Sequence, residues 1–317
     1  MEGGQEVDGP KKFAATYTPV EHRLLATIEW VARKYKVDRN RIYLWGISMG
    51  GSGTLGLGLA RGDIFAACYA VVPAGVDHGW HRMGFPPRKA FAKCPPTGAI
   101  LEVTRPDDYL ARITGAGLPD APPLVNFSSQ TDSWALNEEN LIQAMHDGRH
   151  LMVYCWAPIG HTANWDSTNP AVVKYPWLSI RKNEAYAVFT DASTDQKYPG
   201  LNSKEPDAAG QINAYFRWKN LADEPARFQI ELSLVDAKAI STEKKPFAVP
   251  EKSTADVTPR RLQKFKVQAG KPYAWRLTEG NKVVQTSTVR TDAVGLLTMP
   301  RVTITTAPRT LTLEPER

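Results

Sequence analysis

A chain of 317 residues, 42% of them hydrophobic, is long enough for one large or two ordinary domains with packed cores. Its net charge of +6 falls wholly in the second part: residues 1–180 hold 17 Lys plus Arg against 17 Asp plus Glu, which leaves 22 against 16 of the totals of 39 and 33. A surplus that diffuse excludes a nucleic-acid footprint, and no stretch reaches the ~18 consecutive apolar residues of a membrane span.

Residues 1–16 are polar and glycine-containing and predict a loop. The start has neither a basic head nor an apolar segment, so no signal peptide is visible. As written the chain reads as cytoplasmic, and as secreted or periplasmic if its natural N-terminus lies further upstream. Leu24, Leu25, Ile28, Val31, Ala32 and Tyr35 recur at helical spacing and predict a helix over about 20–36.

The run Ile42 to Trp45 predicts a short buried strand, followed by Gly46-Ile47-Ser48-Met49-Gly50 and a small, aliphatic helix start. Strand, sharp turn and helix is the context a G-x-S-x-G nucleophile elbow needs. A serine in a strained turn requires neighbours without a Cβ two residues away on either side, here Gly46 and Gly50. The Met49 N–H then faces a reacting oxyanion, helped by the positive end of the helix. The plain alternative is a glycine-rich turn with a solvated serine.

Phe65 to Pro73 predicts a second buried strand, and continuous apolar runs between helices predict a parallel sheet covered on both faces. Residues 74–121 form a long connection with His78, Trp80, His81 and several prolines, then a short helix at Asp107 to Arg112. Such a loop is a substrate wall or a packing excursion. Leu124 to Ser128 is a third strand, Ala135 to His146 a helix, and Leu151 to Trp156 a fourth strand that ends in Pro158-Ile159-Gly160-His161.

From Tyr186 on the texture turns to alternation. Strands are predicted at 185–190, 214–218, 227–234, 264–267, 273–277, 283–286, 302–305 and 310–313. Short alternating strands between turn signals predict an antiparallel β-sandwich. The division falls near residue 180: an α/β domain over 1–180 and a β-sandwich over 181–317.

Residues 37–51, Val-Asp-Arg-Asn-Arg-Ile-Tyr-Leu-Trp-Gly-Ile-Ser-Met-Gly-Gly, resemble the nucleophile region of α/β-hydrolase-fold serine esterases. The likeness is greatest to the polyhydroxybutyrate-depolymerase-like, feruloyl-esterase-like and prolyl-oligopeptidase-like branches. Residues 122–132, ending in Ser-Gln-Thr-Asp, and 157–161, Ala-Pro-Ile-Gly-His, resemble the same families in order and spacing. The resemblance spans about residues 17–165 and implies Ser48 as nucleophile, Asp132 as acid and His161 as base. The second part resembles immunoglobulin-like or fibronectin-like domains in architecture alone.

The chemistry of these three residues agrees with that order. A serine hydroxyl needs a base, histidine is the base suited to neutral pH, and a carboxylate holds its tautomer. Asp132 also reads as a turn-forming aspartate and His161 as a surface histidine. Asp147, at a helix end, and Asp166, after the histidine, are weaker acids for the role. Trp80, Trp134 and Trp165 flank the same rim, either stacking on a substrate ring or packing it. His78 and His81 lack a third ligand, and Cys68, Cys94 and Cys155 have neither metal nor disulfide spacing, so neither a metal nor a cofactor is predicted.

The chain departs from the family at its front, where strands and a second oxyanion donor precede the elbow in complete members. An exposed edge on strand 41–46 follows, and with it self-association into a homo-oligomer that covers the edge. The predicted function is serine carboxylic-ester hydrolysis of short or aromatic acyl esters, including those on carbohydrates or polyesters. The rival readings are a non-catalytic remnant whose sandwich binds glycan or protein, and a peptidase.

Overall fold

The computed structural model describes residues 19–74, 91–94, 99–102, 120–132, 138–161, 169–200, 209–241 and 246–316. Helix α1 (Pro19–Lys34) carries Glu21 in its first turn and Arg33 and Lys34 in its last, matching the helix dipole at both ends. Strand β1 (Tyr43–Ile47) leads into α2 (Met49–Gly53), which continues as a π-helical turn over Thr54–Gly58. Strand β2 (Ala67–Val71), a hairpin of β3 (Phe91–Cys94) and β4 (Ala99–Glu102), and β5 (Leu124–Ser129) follow. Then come α3 (Glu138–Asp147), β6 (Met152–Ala157) and the short α4 (Pro170–Val173).

β1, β2, β5 and β6 lie side by side in parallel. Each crossover steps the same way across the sheet, so the intervening helices gather on one face. Leu55, Leu57 and Leu59 of the elbow helix pack there with Leu141 and Met145 of α3, and Leu25 and Ile28 of α1 join them. The other face buries Val125, Phe127, Val153 and Cys155 against Ala171 and Val172 of α4 and against Tyr175 and Ile180. Every residue of β2, β5 and β6 is buried, as expected for parallel strands covered on both sides. In β1 Gly46 alone is buried. β1 is the last strand of its sheet, paired with β2 alone, so the edge expected from the sequence is open among the described residues.

The chain then builds β7 (Tyr186–Thr190), β8 (Gly210–Ile212), β9 (Phe216–Glu224), β10 (Arg227–Leu234), a short helix α5 (Ala237–Ile240) and β11 (Lys252–Arg260). Strands β12 (Pro272–Glu279), β13 (Lys282–Arg290), β14 (Met299–Thr305) and β15 (Arg309–Pro315) complete it. Two antiparallel sheets result, β13-β12-β15-β10-β9 and β14-β11-β7. Their alternate residues, among them Phe228, Ile230 and Leu232 facing Val257, Val302 and Ile304, meet in one core that continues under the parallel sheet.

Several features depart from the sequence reading. β1, expected as a buried strand, buries only Gly46, and the β3–β4 hairpin lies in the stretch expected as a connection. β8 leaves the second part and pairs antiparallel with β6, closing the far edge of the parallel sheet. Residues 264–267, expected as a strand, form none, because the Asp223 carboxylate accepts the backbone N–H groups of Gln263, Lys264 and Phe265 that a ladder would need. β11, which contains Pro259, is absent from the strands expected from the sequence. That proline sits beyond Val257, where pairing with β14 ends, so no β14 residue is left opposite it, and it is paired with Ala187 of β7 alone. The expected loop at 1–16 and helix at 107–112 lie outside the described residues, and the helix expected from 135 is described from Glu138.

The two parts are fastened by two arginines, Arg260 buried and Arg217 half-buried. Arg260 pairs with Asp120 and donates to the carbonyls of Gly148 (3.0 Å) and Arg149 (3.2 Å). Arg217 donates to the Ala171 carbonyl at 2.7 Å and lies over the Tyr175 ring.

Candidate active site

The elbow forms where β1 turns into α2. Ser48 has φ 57° and ψ −120°, a region costly for a residue with a Cβ. Surrounding bonds hold it there: Ser48 N–H donates to the Val71 carbonyl at 2.9 Å, and Ser52 N–H donates to the Ser48 carbonyl at 3.0 Å. The Ser52 hydroxyl accepts the Ala74 N–H at 2.8 Å, tying the elbow helix to the end of β2.

The steric demand on the glycines is only partly the one the motif implies. A Cβ on Gly46 would lie 2.1 Å from the Gly50 carbonyl oxygen, which no side chain tolerates. A Cβ on Gly50 would meet nothing within 4 Å, so the space argument for that position is corrected. The second tight glycine is Gly51, whose Cβ would approach the Val71 carbonyl oxygen at 2.9 Å.

Asp132 and His161 leave the carboxyl ends of β5 and β6, where open α/β sheets gather their functional groups. The two loops are stitched together: Gln130 N–H donates to the Ala157 carbonyl at 3.0 Å, and Gly160 N–H donates to the Thr131 hydroxyl at 2.8 Å. His161 Nε2 lies 2.8 Å from Ser48 Oγ, and His161 Nδ1 lies 2.5 Å from Asp132 Oδ2. One tautomer satisfies both contacts. The carboxylate takes the Nδ1–H, which leaves the Nε2 lone pair to accept the serine proton. The Asp132 side chain is 6% exposed and that of His161 39%, so the charge is sheltered while the imidazole faces the surface.

Met49, the first residue of α2, is 70% exposed, and its N–H belongs to the helix terminus whose donors have no intrahelical partner. Trp80, Trp134 and Trp165, expected at the rim, and His78 and His81 lie outside the described residues. Asp147 is spent elsewhere: it accepts from Gln143 at 2.7 Å and pairs with His146 at 3.1 Å. Cys68 and Cys155 are buried, and burial raises both thiols, Cys155 to about 12, so they stay protonated as small apolar groups. Among the described residues no cluster of His, Cys, Asp and Glu has the makings of a metal site, and no helix is long and apolar enough to cross a membrane.

One buried group gave little signal in the sequence. Glu138, in the first turn of α3, is fully buried against Asn126, and burial pushes its carboxyl up to about 8, Glu139 adding to the rise. A polar residue opening a helix gave no sign of burial. The one available hint was Asn126 in the middle of an apolar strand.

No family model matches this chain, and no curated protein matches it. Among solved structures it is similar to an S-formylglutathione hydrolase from Staphylococcus aureus (20% identity, 52% of this chain and 61% of that chain, TM-score 0.35). It is also similar to the fluorophosphonate-binding serine hydrolase F of Staphylococcus aureus (20% identity, 52% and 65%, TM-score 0.38). A third is esterase B from Lactobacillus rhamnosis, inhibited by a tributyrin phosphonate (15% identity, 45% and 52%, TM-score 0.29). The chain spans less than two thirds of the length of each.

Proposed function

We propose that this chain is a serine carboxylic-ester hydrolase that works through an acyl-enzyme. Ser48 is the nucleophile, His161 the base, Asp132 the acid, and Met49 N–H an oxyanion donor. The observation that carries the reading is the unbroken contact from Ser48 Oγ to His161 Nε2 at 2.8 Å and from His161 Nδ1 to Asp132 Oδ2 at 2.5 Å.

His161 takes the Ser48 proton as Oγ attacks the ester carbonyl, and the buried Asp132 stabilises the imidazolium that forms. The oxyanion is met by Met49 N–H and the positive end of the elbow helix. His161 returns the proton to the leaving alkoxide, the alcohol departs, and water attacks the acyl-Ser48 ester by the same route in reverse. The proposed substrates are activated or labile esters of short or aromatic acyl groups, on carbohydrates or polyesters among others. The likeness of residues 37–51 to the feruloyl-esterase-like and polyhydroxybutyrate-depolymerase-like branches supports that choice.

The protein also self-associates in this reading, a second copy covering β1. The support is the strand edge left open among the described residues, along which Trp45 is 53% exposed and Ile47 is exposed with it. Incubation with a fluorophosphonate, followed by peptide mass mapping, tests the function. Adduct on Ser48 is expected; an unlabelled Ser48 in folded protein would leave the rival reading, a scaffold whose β-sandwich binds glycan or protein.

A further inference from the structure

Beneath the proposed site, on the face of the sheet that carries the helices, a polar ladder runs through an otherwise apolar layer. Asn126 and Ser128 project from β5, Tyr154 from β6 and Glu138 from α3. All four are buried. Ser128 Oγ hydrogen-bonds the Tyr154 hydroxyl, and Asn126 Nδ2 donates to Glu138 Oε2 at 3.3 Å. The other two atoms of that last pair, Asn126 Oδ1 and Glu138 Oε1, are buried without a partner among the described residues.

We infer that Glu138 is held as a neutral carboxylic acid, joined to the Asn126 carboxamide in a two-bond ring, and that this ring is the brace that positions the turn carrying Asp132. The two orphan atoms belong to the two side chains that the Nδ2–Oε2 bond already joins, and both are acceptors as long as Glu138 is ionised. A single proton on Oε1 turns one of them into a donor and resolves both at once. A carboxylic acid and a primary amide then complement each other, N–H to oxygen on one side and O–H to oxygen on the other.

The surroundings agree. The groups that face Glu138 are Asn126 from β5, Tyr154 from β6, Tyr198 from the segment after β7, and Glu139 from its own helix. Among the described residues none of these is a cation. The two phenols are raised above their ordinary range by burial and stay neutral alongside it. A carboxylate left in that setting would be buried with a single amide hydrogen bond and no cation, which proteins avoid by taking up the proton. Burial accordingly raises Glu138 to about 8.

The position of the ring gives it a task. Asn126 lies three residues before the end of β5 at Ser129, and Glu138 opens α3 as described. Asp132 is carried on the chain strung between those two elements. The ring therefore pins both ends of the Asp132 turn to each other. Glu138 touches no reacting atom and is a positioning residue. The role rests on the hydrolase reading; the protonation of the ring does not.

The test compares wild type with Glu138→Gln and Glu138→Ala over pH 5 to 9.5, by thermal unfolding and by p-nitrophenyl ester kinetics. Glutamine reproduces the ring without a proton to lose. The folded-state pKa stands above the unfolded one, so the stability this group gives is full below the unfolded value near 4.5 and is lost as pH rises to about 8. Wild type should lose stability relative to Glu138→Gln over that window, and the difference should flatten above it. Wild-type kcat should fall with a midpoint near pH 8 at unchanged KM, whereas Glu138→Gln should keep its kcat to pH 9. Glu138→Ala should lose at least tenfold in kcat at every pH. A stability difference that does not vary with pH, or the same alkaline fall in Glu138→Gln as in wild type, overturns the inference. If no variant and no wild type turns over ester, the hydrolase reading has failed, and the unfolding curves still decide the ring.

Discussion

Replacing Gly46 with alanine tests the elbow at the point where strand and helix come closest. The added Cβ would stand 2.1 Å from the Gly50 carbonyl oxygen, 2.2 Å from its carbon and 2.8 Å from the Gly51 nitrogen. Ordinary contact begins near 3.4 Å. The first turn of α2 must therefore retreat from β1 by more than about 1 Å. The atoms in the way are backbone, and they cannot turn aside as a flexible side chain would. Overpacking of this kind costs about 1–3 kcal/mol of stability. A ~1 Å displacement of a reacting group costs about a hundredfold in rate. Gly46→Ala should thus lower kcat/KM for a p-nitrophenyl ester by roughly two orders of magnitude, while the protein stays folded. Gly50→Ala is the internal control. Nothing lies within 4 Å of its added Cβ, so activity should hold and stability should rise by up to about 1 kcal/mol through helix propensity. Wild-type turnover in Gly46→Ala, or equal losses in both variants, would refute the steric account of the elbow.

Asp132→Asn should keep the fold and reduce kcat by about 10⁴, because the amide no longer holds the His161 tautomer that can accept the Ser48 proton; steady-state kinetics with circular dichroism checks both halves. Asp223→Ala should cost about 2 kcal/mol and several degrees of Tm, since three N–H groups at 263–265 lose a charged acceptor. If self-association runs through β1, paired charges at Trp45→Lys and Ile47→Lys should return the protein to monomer in light scattering, and an unaltered mass would move the interface elsewhere. For Glu138→Gln, the gain over wild type between pH 5 and 8 should approach about 1.4 kcal/mol per pH unit, the linkage slope for one proton.

The sequence carried the strands beneath the elbow because parallel strands covered on both faces are largely apolar: Leu124–Ser129 and Met152–Ala157 emerge within a residue or two of their expected bounds. The proximity of Ser48, Asp132 and His161 was legible for a related reason. Each follows a strand of the parallel sheet at its carboxyl end, so order along the chain predicts closeness in space. What escaped was long-range. β8 is three residues long and becomes a strand only because β6 offers it an edge. Lys264-Phe265-Lys266-Val267 alternates like a strand, yet Asp223, forty residues earlier, captures its donors. Gly50 fits the motif's steric logic on paper, but Gly51 turns out to be the one against the sheet. Glu138 looks like a solvated helix start until Asn126 and Tyr154 enclose it.

Burst kinetics on Ser48→Ala beside wild type, with an ester whose acyl step is faster than its hydrolysis, probe the hydroxyl at the centre of this account. Wild type should release about one equivalent of p-nitrophenol per chain before the steady state, with the acyl mass found on the Ser48 peptide, and the alanine protein should give neither. A folded Ser48→Ala protein that still shows the burst would contradict it.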